Sequence, residues 1–275
     1  LLDLTSQESG DRRVWNSLHI LSWDTDRNYI DTSTLKYVRK TGIIQSIYNL
    51  QFGSDRQILE SIRQEAIELQ KKQCYQAAEE KYKQFLRWDS RDIWIWYNLG
   101  ILYYETERYR DALEALIHAL NIDETHANLY YSVGLVYEKL NCYHEAAEAY
   151  KKAITIDSVY LDAYNNLGNL LYQDCQFEKA EVVYQKAIAA GLNHASIYTN
   201  LGNALIVQGK IDEAIQVYQQ ALDFEPSNSD ILKNLKIARQ YRKHPDRLYL
   251  SFGHHFYDQG QYSAAVIQYK KLLDI

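Results

Sequence analysis

"LDAYNNLGNLLYQDCQFEKAEVVYQKA", residues Leu161–Ala187, is the stretch on which the fold turns. It carries an aromatic at Tyr164, then Leu167-Gly168 and Leu171, then Ala180, Tyr184 and Ala187. The same skeleton stands 34 residues earlier as Tyr130, Val133-Gly134, Tyr137, Ala146, Tyr150 and Ala153. One period before that it reads Trp96, Leu99-Gly100, Tyr103, Ala112, Leu116 and Ala119. One period after, it reads Tyr198, Leu201-Gly202, Leu205, Ala214, Tyr218 and Ala221. Self-similarity at a fixed period of this length is the mark of stacked supersecondary units.

Each unit reads as two antiparallel helices. Tyr164, Leu167, Gly168 and Leu171 follow the i, i+3, i+4, i+7 spacing of one helical face, and Ala180, Tyr184 and Ala187 form the face of a second. Gly168 and Ala180 are expected to meet, small against small, with the aromatics filling the gaps around them. "Val207-Gln208-Gly209-Lys210" supplies a turn with Gly at a helix end, and Pro226 stops the last full unit. Five units run in phase from Leu59 to Asn228, the first of them degenerate at its front, where Ile62, Ala66 and Leu69 replace the usual residues.

The flanks differ. Residues 1–58 do not fit the period; helices are expected over Asp11–Leu21 and Ser33–Leu50. After Asn228 the phase breaks: Asp230–Lys243 begins like a first helix, but Lys236 and Arg239 stand where small and apolar residues stood before, as in a solvating end-cap. Residues 229–245 therefore read as a capping or spacer helix, and residues 246–275 as a further, truncated unit with Tyr249, Phe252-Gly253, Phe256, Ala265 and Tyr269. The 17-residue half-step leaves a lone spacer or a second short array open.

Only two prolines and eleven glycines in 275 residues leave room for long helices, so the fold class is all-α. A formal net charge of -6 gives no footprint for a phosphate backbone, and no nucleic-acid partner is expected. No apolar run is long enough to span a bilayer, and the opening "LLDLTSQESGDRR" lacks a basic segment followed by an apolar one. Three scattered cysteines, Cys74, Cys142 and Cys175, suit a reducing compartment, so a cytoplasmic location is the expectation.

The units resemble the tetratricopeptide repeat (TPR), with "WYNLGILY" from Trp96 to Tyr103 as its front half and the same 34-residue period. "AYNNLGNLLYQ" and "YTNLGNALIVQGK" look most like the repeats that precede the catalytic region of O-linked N-acetylglucosamine transferases and of related bacterial proteins. The resemblance implies a superhelical solenoid of helix pairs whose first helices line a concave, protein-binding side.

The residues of those first helices that avoid the packing stripe are the candidate site. Asp162, Asn166, Asn169 and Gln173 fall opposite Tyr164 on a helical wheel; the matching places hold Asn98, Ser132, Asn200 and Asn234, and one turn on Ile101, Leu135 and Asn203. Asparagine is a mediocre helix former, so its repetition invites a reason. An amide ladder can hold the backbone of an extended peptide; the alternatives are solvated positions, or asparagines that bond within their own repeat. Earlier in the array Trp94, Tyr97, Ile101, Tyr104, Tyr131 and Leu135 crowd the same surface. Such a patch marks a contact site, unless residues 1–58 fold over it.

Other chemistries find little support. The clamp by which chaperone-binding TPR domains hold a carboxylate would fall on Arg63, Ile67, Asn98, Asn128 and Ser132, which lack two of its cations and one of its asparagines. Eight histidines show no metal-ligand spacing, and no nucleophile elbow or phosphate loop appears; no cofactor is expected. The reading is a non-enzymatic scaffold for a protein or extended peptide. The alternative is the recognition arm of a larger enzyme, such as a glycosyltransferase, whose catalytic region is not in this chain. Self-association through the terminal repeat is a third expectation.

Overall fold

A computed structural model describes residues 43–275, with side chains from residue 56 onward. The chain divides into two compact units, Leu1–Gln64 and Glu65–Ile275. The expected helix Asp11–Leu21 and the beginning of Ser33–Leu50 lie outside the described residues. Helix α1, Ile43–Lys71, runs unbroken through residues 58 and 59, where the repeat array was expected to begin.

Among the described residues the structure is all helical, without a strand. After α1 come α2 (Tyr75–Trp88), α3 (Ile93–Glu105) and α4 (Tyr109–Ile122), then α5 (Ala127–Lys139) and α6 (Tyr143–Ile156). Next stand α7 (Leu161–Gln173), α8 (Phe177–Ala189), α9 (Ala195–Gln208) and α10 (Ile211–Phe224). The chain closes with α11 (Ser229–Lys243), α12 (Pro245–Asp258) and α13 (Tyr262–Leu273). From α3 to α10 the helices form antiparallel pairs, each packed on the next, and a continuous apolar core runs from Ala146 to Leu248.

The pairs close around one recurring contact. The space beside Gly168 is filled by the ring of Tyr184: a Cβ at Gly168 would lie 2.3 Å from Tyr184 Cζ. Gly134 stands in the same relation to Tyr150, Gly202 to Tyr218 and Gly253 to Tyr269. The missing side chain on the first helix thus admits a large ring from the second. Tyr150, Tyr184 and Tyr218 are accordingly almost wholly buried.

The turn between the two helices of a pair also repeats. Gln73, Glu107, Asn141, Cys175, Gly209 and Gly260 occupy one place in the unit, and all have a positive φ, from 58° at Cys175 to 86° at Gly209. Gly209 is the left-handed cap that the sequence indicates for α9. Neighbouring units are tied at their turns. Glu79 of α2 pairs with Arg108 at 2.7 Å, and Glu181 of α8 pairs with Lys210 at 2.7 Å, in the same register.

At the C-terminal side, α11 buries Ile231, Leu235 and Ala238, while Lys236 and Arg239 are exposed. Pro245 then opens α12 at its first turn. The α12–α13 hairpin turns back onto the turn ends of earlier pairs. Phe256 packs against Phe177 at 5.6 Å, Gln261 Nε2 donates to the Gln173 carbonyl at 2.9 Å, and Lys271 Nζ donates to the Gln208 carbonyl at 3.1 Å. Its outer face leaves Tyr262, Val266, Ile267 and Leu273 exposed.

Candidate functional site

The first helices approach one another more closely than the second helices do: α3 packs against α5 and α7 against α9, whereas α4, α6, α8 and α10 make no comparable contact among themselves. A stack that is tighter along one row of helices curves toward that row. The first helices therefore line the inner side, and the surface they share is the site to examine.

In its earlier half that surface is aromatic. Trp94 is 45% exposed and meets Tyr97 edge-on at 5.9 Å and His126 at 5.2 Å. Tyr131 lies 5.1 Å from Tyr160 and 5.7 Å from Tyr150. Burial pushes the phenol of Tyr160 up to about 12, and the neighbouring phenols of Tyr131 and Tyr97 and the carboxylate of Asp162 add to the effect. The Tyr131 phenol is raised by burial first and by Asp162 next. Trp94 and Tyr97 on α3, Tyr131 on α5 and Tyr160 in the link before α7 thus form one aromatic strip, with Asp162 following in the first turn of α7. Ile101 and Leu135 are half-buried on the same helices.

Tyr160 escapes a reading based on helical periodicity because it stands in the link before α7. The signal available was an aromatic where the other units carry Asp92, His126, His194 and Asn228.

In its later half the surface is a network of amides, and most of them bond inside the array. Tyr184 Oη donates to Asn169 Oδ1 at 2.8 Å, and Tyr218 Oη donates to Asn203 Oδ1 at 2.8 Å. A second set reaches back to the preceding unit. Asn166 Nδ2 donates to Tyr131 Oη at 3.3 Å, Asn200 Nδ2 to Asn165 Oδ1 at 3.2 Å, and Asn234 Nδ2 to Asn203 Oδ1 at 3.3 Å. The first set satisfies phenols that burial would otherwise leave without partners; the second holds adjacent pairs in register. Asn98 makes none of these contacts.

Where the phenol is absent, so is the amide. Leu116 takes the tyrosine's place on α4, and Ile101 takes the place of Asn169 on α3. In α1 and α2 Tyr82 donates instead to Gln70 Oε1 at 2.8 Å, one turn further on. Of the sites named from sequence, Asn166, Asn200, Asn203 and Asn234 are half-buried and Asn169 is exposed. Ser132 is corrected: it is 3% exposed, packed inside α5, and presents nothing to a groove.

A pocket of about 990 Å³ lies on the other side, between α6 and α8, lined by Tyr143, Ala147, Leu170, Leu171 and Val182 among others. Ala147 stands there where Glu79 and Glu181 make their ion pairs, so nothing spans the gap to Gln176. Among the described residues no group of three or more His, Cys, Asp or Glu is placed to hold a metal ion. Cys142 and Cys175 are both half-buried, and burial pushes the Cys175 thiol up, away from the thiolate that a metal needs. No helix among the described residues is long and apolar enough to cross a membrane.

Residues 91–158, 161–190 and 195–228 each match a tetratricopeptide repeat family model. The helix pairs from α3 to α10 are TPR units. Solved structures share the architecture of this TPR array. MamA is 28% identical, over 58% of this chain and 94% of its own, with a TM-score of 0.54. YrrB, described as a TPR protein with an unusual peptide-binding site, is 22% identical over 69% of this chain and 97% of its own, with a TM-score of 0.51. A TPR protein from Parabacteroides merdae is 16% identical over 79% and 93%, with a TM-score of 0.59. No curated protein matches the chain at a significant level.

Proposed function

We propose that the TPR array is a scaffold that performs no chemistry of its own and holds an extended protein segment along the inner faces of α3, α5, α7 and α9. One observation carries this reading: the exposed Trp94 continues into Tyr97, Tyr160 and Tyr131 as a single aromatic strip on the inner row of helices. Rigid aromatics clustered at an accessible surface are the residues that dominate binding energy. Further along, Asn166 and Asn200 each have an amide whose oxygen is not used in the inter-unit bonds described above. These acceptors suit the backbone N–H groups of an extended chain.

The test is affinity capture with the intact chain, with a Trp94→Ala/Tyr97→Ala double variant, and with Val182→Ala as an outer-face control. The reading expects a partner retained by the intact chain and by the control and lost at least tenfold by the double variant. A partner held equally by all three overturns it.

A further inference from the structure

The inner face differs from the rest of the array in its charge. Across α3, α5, α7 and α9 the charged side chains are Glu105, Glu138, Lys139 and Asp162. Lys139 is exposed at the end of its helix. Glu138 is half-buried and its carboxyl is raised by burial, with a hydrogen bond from Tyr150 opposing the rise. Asp162 is exposed and, among the described residues, makes no ion pair. His126 is engaged with Asp123 at 3.3 Å and tilted against Trp94 at 5.2 Å.

Elsewhere the array shows what a tyrosine ring beside a carboxylate holds. Arg108 places its guanidinium carbon 4.2 Å from the centre of the Tyr103 ring, while Nη1 reaches Glu79 Oε2 at 2.7 Å. Tyr131 and Tyr160, 5.1 Å apart, with the exposed Asp162 two residues on from Tyr160 in the first turn of α7, offer the same two components. Among the described residues no cation is recorded against those rings.

We infer that the segment held on the inner face is basic, and that one of its arginine or lysine side chains sits against Tyr131 and Tyr160 opposite Asp162. This rests on the groove reading above and specifies its partner. A cation there gains the electron-rich faces of the rings and the carboxylate of Asp162, which makes no ion pair among the described residues. A carboxylate-rich or phosphorylated segment would meet Asp162 with like charge and is rejected.

The experiment uses the intact chain and two fluorescein-labelled peptides of repeating Gly-Ser-Arg and Gly-Ser-citrulline, which match in shape and differ in charge. Anisotropy titrations are compared for the wild type, Asp162→Asn, Tyr160→Leu, and Glu213→Gln on α10 as an equal change in net charge. The expected result is that the arginine peptide binds at least tenfold tighter than the citrulline peptide. Asp162→Asn and Tyr160→Leu should each weaken it about five- to tenfold, with unchanged thermal melting, and Glu213→Gln should leave it unchanged.

Equal binding of the two peptides, no binding of the arginine peptide, or an equal loss in Glu213→Gln each overturns the proposal. If both peptides bind alike and Trp94→Ala abolishes both, the groove reading stands and the basic partner fails. If sedimentation shows a dimer that Asp162→Asn dissociates, a second copy occupies this face and the proposal fails as well.

Discussion

Tyr184 fills the space that a side chain at Gly168 would need: a Cβ there would stand 2.3 Å from the ring's Cζ. Tyr184 is 1% exposed and has no room to swing away. The closeness of the α7–α8 pair therefore depends on the absence of one methyl group.

Gly168→Ala is expected to destabilise the array by about 1–3 kcal/mol, the ordinary cost of overpacking. In a Tyr184→Ala background the same substitution should cost much less, because the ring that it strikes has gone. Urea unfolding of the two single variants and the double variant measures the coupling.

The Tyr184–Asn169 hydrogen bond makes a second cycle available. Asn169→Ala leaves the buried phenol without its acceptor, at a cost of about 1–3 kcal/mol. With Tyr184→Phe already present, Asn169→Ala should cost only a few tenths, since no phenol remains to satisfy. Equal losses in both backgrounds would show that Asn169 acts some other way. If Asn169 also contacts a partner, its effect on binding will exceed its effect on melting.

Turn residues supply a prediction of opposite sign. Glu107 is exposed and held at φ 60°, a conformation that costs an L residue roughly 1–2 kcal/mol. Glu107→Gly should stabilise the array by up to about 1 kcal/mol, the gain being reduced by the greater freedom of glycine in the unfolded chain. Gly209→Ala should do the reverse, and more strongly, because Tyr249 Oη lies 2.6 Å from where the new Cβ would stand. Thermal melting of both variants checks the pair.

Glu79 gives the array an acid-sensitive joint. Burial works against its ionisation, but hydrogen bonds from Lys83, Tyr103 and Arg108 outweigh it and hold the carboxyl below its ordinary value. A carboxyl depressed in the folded state stabilises the fold above its unfolded pKa of about 4.3, and that stability is lost as pH falls through the folded value. Glu79→Gln should thus cost about 1–2 kcal/mol at pH 7 and progressively less below about pH 4. Urea midpoints across that range would contradict this if the gap between the two proteins stayed constant.

Much of this was legible in the residues. The 34-residue recurrence names the unit, and Gly209 marks a helix end that the structure has where expected. The contacts between elements were not legible, because periodicity shows which face of a helix is apolar and not which side chain lies opposite. The asparagines were for that reason set apart from the buried phenols that two of them satisfy. Ser132 was placed on the groove by its position on the wheel, yet it is buried, as a single-helix projection cannot show. The docking of α12–α13 on Phe177 and Val207 joins segments far apart in the chain and leaves no local mark.

The account stands or falls on where a partner touches. A photo-crosslinking residue is placed at Tyr104 or Leu135 on the inner row, and at Tyr143 or Val182 on the outer side, each in the intact chain. With the captured partner bound, the account predicts crosslinks from Tyr104 and Leu135 and none from Tyr143 or Val182. Crosslinks confined to Tyr143 and Val182 would place the partner in the pocket between α6 and α8 and contradict it.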